Sequence, residues 1–245
     1  MRSSVYILLL LAPVLAQAQP INRAASVGVS VQRSSHFYTT FDGFPVNEKK
    51  YSALVSGSPY LFDHFMPAII ALANGTAYEG VRVRLNLVDN ELQYLDSKGN
   101  ELVARAPLKW ALIRDSITGT EKKMVSAAAL PAGAPRQGWY EQLAEGGMSL
   151  YKLQEKRHVV EKPFNSASEE QRVETRERLF VVHNGRYHEI KKLKDLTALF
   201  EDKQAAMEDF FKKQKAANAG LEQTAAEAVR HYNGLAEKQQ PRPAI

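Results

Sequence analysis

His183 and His188 flank Asn184-Gly185, a dipeptide that favours a two-residue hairpin because both central residues take positive φ. That register pairs His183 with Arg186 and Val181 with His188, so the two imidazoles share one face. Imidazoles are common zinc ligands, but a zinc site needs further donors. No further ligand is evident, and Arg186 would sit beside any bound cation. The pair is read as exposed hairpin histidines. His36, His64, His158 and His231 are isolated, and no His-Glu-x-x-His occurs. Ser58 lies between Gly57 and Pro59, which is turn chemistry. A serine nucleophile needs a sharp exposed turn and a positioned base, and the Gly-x-Ser-x-Gly spacing is absent.

Other groups could act on polymers. Glu169, Glu170, Glu174 and Glu177 alternate with Arg172, Arg176 and Arg178 and read as a solvated, self-compensating surface. Glycoside hydrolysis needs two carboxyls facing each other across a cleft. Lys191, Lys192 and Lys194, then Lys212, Lys213 and Lys215, are basic clusters that could meet anionic headgroups or wall polymers. Acidic neighbours make both clusters ordinary helix faces. Trp110, Trp139 and Tyr140 could form a sugar-stacking platform, but burial in a sheet core is favoured. No catalytic, cofactor-binding or metal-ligating residue is assigned, and no cofactor is expected. The chain has no cysteine, which excludes disulfides, thiol nucleophiles and cysteine-ligated metals.

The elements that must position these residues read mostly as strands. Over 76–88, Val81, Val83, Leu85 and Leu87 alternate with Arg82, Arg84 and Asn86, the period of a half-buried strand. A two-residue turn at Asp89-Asn90 would pair Leu87 with Leu92 and Leu85 with Tyr94. Asn74-Gly75 is expected to form a type I′ turn. Further strands are expected over 101–106, 109–114, 139–144, 148–153, 175–183 and 186–190, with loops over 116–138 and 163–171. A brief alternation over 26–31 suggests an edge strand within an otherwise extended lead-in, 19–52. From 193 the period changes. Leu193, Leu196, Leu199, Phe200, Met207, Phe210 and Phe211 would form one helical stripe, with a break possible over 201–203. Glu208/Lys212 and Asp209/Lys213 are spaced as i,i+4 pairs. Gly220 precedes a last helix, 221–235, that carries Ala225, Val229 and Tyr232 on one side. The expected fold is α+β: an antiparallel β-meander over 53–192, a curled sheet or partly closed barrel, then C-terminal helices over 193–236. A frayed tail covers 237–245.

The first residues read as an export signal. Arg2 precedes an apolar run over 5–15, and Ala16-Gln17-Ala18 offers small residues at a cleavage site. The expected leader is 1–18, with a mature chain that starts at Gln19 and is soluble in a periplasmic or extracellular setting. The run is too short for a membrane span, which needs ~20 residues, and no transmembrane segment is expected elsewhere. The net charge of +5 over 245 residues is spread out, so nucleic acid is not an expected partner.

Gly57-Ser58-Pro59-Tyr60-Leu61-Phe62-Asp63 and Asn74-Gly75-Thr76-Ala77-Tyr78-Glu79-Gly80-Val81 resemble segments of exported bacterial envelope proteins of no assigned function. Tyr140-Glu141-Gln142-Leu143, Leu150-Tyr151-Lys152, Asn184-Gly185-Arg186, Lys194-Asp195-Leu196 and Tyr232-Asn233 are similar to the middle and tail of that group. The resemblance implies a cell-envelope setting and carries no catalytic residue. The expected function is therefore non-enzymatic binding of a protein or envelope polymer. The alternative is a carbohydrate- or wall-polymer-active hydrolase with dispersed carboxylates.

Overall fold

The computed structural model describes residues 31–33, 37–38, 42–47, 50–162, 164, 168–200, 203–216 and 219–237. The expected leader, His36, residues 26–30 of the first expected strand and most of the expected frayed tail lie outside the described residues.

Among the described residues, thirteen strands form one mixed sheet. They are β1 (Val31–Arg33), β2 (Gly43–Pro45), β3 (Leu54–Ser56), β4 (Met66–Leu72), β5 (Ala77–Asn86), β6 (Glu91–Leu95), β7 (Glu101–Ala104), β8 (Leu108–Arg114), β9 (Glu121–Ser126), β10 (Trp139–Ala144), β11 (Met148–Glu161), β12 (Glu170–His183) and β13 (Arg186–Ile190). The chain lays β4 to β7 outward as successive antiparallel neighbours. It then returns so that β8 takes the other edge of β4, and β8 to β13 follow in order. Two short strands are parallel. β1 pairs with β5 at Ala77–Glu79, and β3 pairs with β12 at Gln171 and Arg172. The lead-in thus supplies β1 and β2 to the sheet.

The expected hairpin of Asn184-Gly185 is present: His183 pairs with Arg186, and Asn184 and Gly185 have φ of 50° and 72°. Two other turns differ from expectation. At Asn74-Gly75 only Gly75 has positive φ, 89°, and its N–H bonds Leu72 O at 3.0 Å. That is a three-residue loop with Gly in the left-handed position, not a type I′ turn. At Asp89-Asn90 the pairing is Leu85 with Leu92 and Val83 with Tyr94, two residues away from the expected register. Asn86 Oδ1 accepts the N–H groups of Val88 and Asp89, both at 3.0 Å, and closes a longer loop. A slip of two preserves parity, so the apolar face survives the change.

That face builds the first core. Val81, Val83, Leu85, Leu92 and Tyr94 pack with Ala68, Ile70 and Ile113, and Phe37 is fully buried among them. The sheet curls around this core: the Trp139 indole on β10 donates to Asn90 O in the β5–β6 turn at 3.3 Å. Lys156 on β11 reaches the Ser58 and Tyr60 carbonyls at 2.9 and 2.5 Å. No register joins β2 to β13 among the described residues, so the sheet stays open. On the opposite face, Trp110, Val125, Tyr140, Leu153 and Phe180 pack beneath Ala127, Leu130 and Ala134 of the 127–138 loop. Trp139 belongs to the first core and Trp110 and Tyr140 to the second, each at most 7% exposed. They form no common platform.

Three helices follow: α1 (Leu193–Thr197), α2 (Gln204–Ala216) and α3 (Leu221–Glu237). The apolar stripe is thus divided rather than continuous. Leu196, Phe200 and Met207 are buried, whereas Leu193 is 42% exposed. The helices cover Met148, Leu150, Leu179, Val181 and Ile190 of β11 to β13 with Ala225, Val229 and Tyr232. The expected i,i+4 ion pairs of α2 are replaced: Lys212 pairs with Asp209 at 3.4 Å, and Glu208 accepts from Gln204. No helix among the described residues is long and apolar enough to cross a membrane.

Candidate functional site

The β11–β12 ladder is the longest in the sheet, pairing Met148 with His183 at one end and Glu161 with Glu170 at the other. β10 stops at Trp139, opposite Gln154 by register, so the second half of the ladder runs past its neighbour. A cavity of about 480 Å³ opens beside this extension. The β5–β6 turn borders it through Leu87, Val88 and Asn90, and the end of the 127–138 loop through Arg136 and Gln137. Trp139 and Leu153 add apolar lining.

Register decides which charges share this wall. Glu155 pairs with Arg176, and Arg157 pairs with Glu174. Alternation puts these four and Arg178 on one face. The carboxylates are committed elsewhere. Glu155 lies 3.4 Å from Arg136 and 3.7 Å from Arg178. Glu174 accepts from Arg172 at 3.0 Å, and Arg172 also holds Glu161 at 2.5 Å. Arg178 makes a two-pronged pair with Glu189, both contacts at 3.0 Å. Its guanidinium holds the Glu189 carboxyl below the ordinary carboxylate range. Arg157 and Arg176 are exposed and have no hydrogen bond or ion pair among the described residues. The surface read as self-compensating is therefore compensated only in part. Arg136 and Arg157 carried no periodic signal in the sequence, and only strand register reveals that Arg157 and Arg176 are neighbours.

Lys156 also borders the cavity, but its ammonium is turned to the Ser58 and Tyr60 carbonyls. Burial pushes its pKa down. With protons donated to two carbonyls, it is an anchor for the 58–60 segment and not a poised base. Ser58 donates to Asp63 and accepts the Tyr60 N–H at 3.2 Å, so its hydroxyl serves the turn. Arg84 stacks between Tyr60 and Phe65, with its guanidinium 4.2 and 4.4 Å from the ring centroids, and locks the same segment to the sheet.

The other sequence candidates lie apart from the cavity. His183 packs edge-on to Tyr232 at 6.1 Å, and its buried Nδ1 has no hydrogen-bond partner among the described residues. His188 sits opposite Val181 on β13, as the register predicts. His158 bonds Gln171 at 3.1 Å, and His231 stacks on Phe210 at 5.0 Å. No group of three or more metal-ligating side chains occurs among the described residues. Lys191 is 3.8 Å from Glu189. No protein-family model, curated protein or solved structure matches the chain.

Proposed function

We propose that the chain is an exported, non-enzymatic cell-envelope protein, periplasmic or extracellular, that binds an anionic envelope polymer in the cavity beside the β11–β12 extension. The observation that carries this is the charge of that wall. Its carboxylates are already paired, and among the described residues the exposed Arg157 and Arg176 make no hydrogen bond or ion pair, although the Arg176 charge helps to hold Glu189 low. A fixed excess of guanidinium in a cleft attracts and orients anions. The export signal and the resemblance to envelope proteins supply the setting.

The hydrolase reading has less support. Glu155 and Glu174 stand on adjacent strands of one wall, and guanidinium groups occupy both. An acid–base pair for glycoside cleavage must face the scissile bond from two sides.

The test uses alginate as a carboxylated polymer probe. The chain has two tryptophans, so a Trp110→Phe variant identifies the Trp139 indole proton in an NMR spectrum. Alginate should shift that signal, and added salt should weaken the effect. An unmoved signal would sink the binding reading. Release of new reducing ends would favour the hydrolase.

A further inference from the structure

We propose that Arg157 and Arg176 form a two-guanidinium clamp for a phosphomonoester group. This rests on the reading of the cavity as an anion site and names the chemistry of the group it holds.

The two arginines are diagonal neighbours across the β11–β12 ladder, because Arg157 pairs with Glu174 and Glu155 with Arg176. Diagonal positions in an antiparallel pair lie about 7–8 Å apart at Cα. Two long side chains at that spacing can converge on one small anion. The glutamates opposite each arginine would be the natural partners. Glu174 is taken by Arg172, and Glu155 is flanked by Arg136 and Arg178. Arg172 and Arg178 also serve Glu161 and Glu189, so five guanidinium groups face four carboxylates, and the excess of one positive charge falls to the two arginines that make no hydrogen bond or ion pair among the described residues.

Charge and shape favour phosphate over carboxylate. A phosphomonoester carries about −1.5 to −2 charges near neutral pH and offers three acceptor oxygens. Two planar forks can each grip a different edge of that tetrahedron, whereas a carboxylate has a single edge to offer. The volume of about 480 Å³ is in the range of pockets for whole small ligands. The phosphate is therefore the terminal group of a larger molecule.

Inorganic phosphate, glucose 6-phosphate and phosphatidic acid in phosphatidylcholine vesicles serve as probes on the full chain, read by the Trp139 indole signal and by calorimetry. Glucose 6-phosphate should bind more tightly than inorganic phosphate and compete with it. Arg157→Gln/Arg176→Gln should weaken that binding by roughly tenfold or more with an unchanged melting temperature. Arg157→Lys/Arg176→Lys keeps the charge without the fork and should fall between; it also decides the matter if the glutamine variant misfolds. Vesicle binding competed by inorganic phosphate would place the same group on a lipid headgroup, and sugar phosphate binding alone would place it on a soluble or polymeric glycan. Phosphate binding indifferent to either double variant overturns the clamp. Alginate shifting the Trp139 signal while no phosphate probe does so overturns the clamp and leaves the anionic cavity standing. If neither alginate nor phosphate moves the signal, both fall.

Discussion

Asn233 on α3 lays its carboxamide on the backbone of the β10–β11 turn. Its Oδ1 accepts the Met148 N–H at 3.0 Å, and its Nδ2 donates to the Met148 and Glu145 carbonyls at 2.8 and 3.2 Å. A Cβ at Gly146 would overlap that carboxamide, so the close approach requires glycine there. Asn233→Ala should cost about 2–4 kcal/mol, because buried backbone groups lose their partners. Gly146→Ala should cost a similar amount in the native chain and less in the Asn233→Ala background, since the obstruction is gone. Urea unfolding of the two single variants and the double variant measures the coupling, expected at about 1 kcal/mol or more. Additive losses would show that the contact is not made. At this scale the sequence was informative for hairpins and poor for side-chain partners. Asn233 stood out only as part of a Tyr-Asn pair. Arg176 was visible as one charge in a mixed run, and Arg157 not at all.

The helical segment and the β10–β13 half of the sheet depend on each other. Met148, Leu150, Leu179, Val181 and Ile190 are covered by the helices, and each large side chain is worth ~1.5–3 kcal/mol in burial. Polar links set the docking position: Lys152 bonds Glu222 at 3.0 Å, and Arg230 donates to Leu143 O at 2.7 Å. Truncation after Lys192 should therefore cause aggregation or a large fall in melting temperature, followed by light scattering and calorimetry. A truncated chain that stays monomeric and equally stable would mean that the helices serve only a partner. The helical period was legible because one face is apolar and the other charged. The outer half of the β11–β12 ladder was not. Over Gln154–Glu161 and Glu170–Glu177 charges occupy both faces, so the alternation that marks a half-buried strand is missing. Its strand state follows from pairing with a partner that sequence spacing does not identify.

For the whole molecule, the charge network predicts how stability varies with pH. Arg178 holds Glu189 low, Arg172 holds Glu161 low, the Thr118 hydroxyl holds Asp115 low, and the Asn100 amide holds Asp96 low. A carboxyl with a depressed folded pKa stabilises above its unfolded value and loses that contribution as pH falls through the folded one. Glu91 is the exception: burial raises it, so acid relieves its cost. Burial alone would push Lys152 down, but Glu222 and Glu141 more than reverse this and leave it raised. Its contribution is present below the ordinary lysine pKa and lost as pH rises through the folded value. Melting temperature should be level around neutrality, fall below about pH 5, and decline again above about pH 10. A rise in stability between about pH 7 and pH 4 would mean that Glu91-like burial outweighs the ion pairs.

Sequence by itself determined the elements whose pattern is local. The two-fold alternation of β5, the Asn184-Gly185 turn and the amphipathic tail are each set by side chains a few residues apart, and with them the α+β class, whereas β9 lies inside the 116–138 stretch expected as a loop. Tertiary structure decided what depends on residues far apart in the chain. Phe37 from the lead-in fills the first core, the 127–138 loop covers the second, and β1 and β3 join the sheet in parallel. It also decided which charges have partners. Glu155 meets Arg136 of the 127–138 loop, and the ladder sets Arg157 diagonal to Arg176. Coulomb interactions follow distance in space, and only the folded sheet sets those distances.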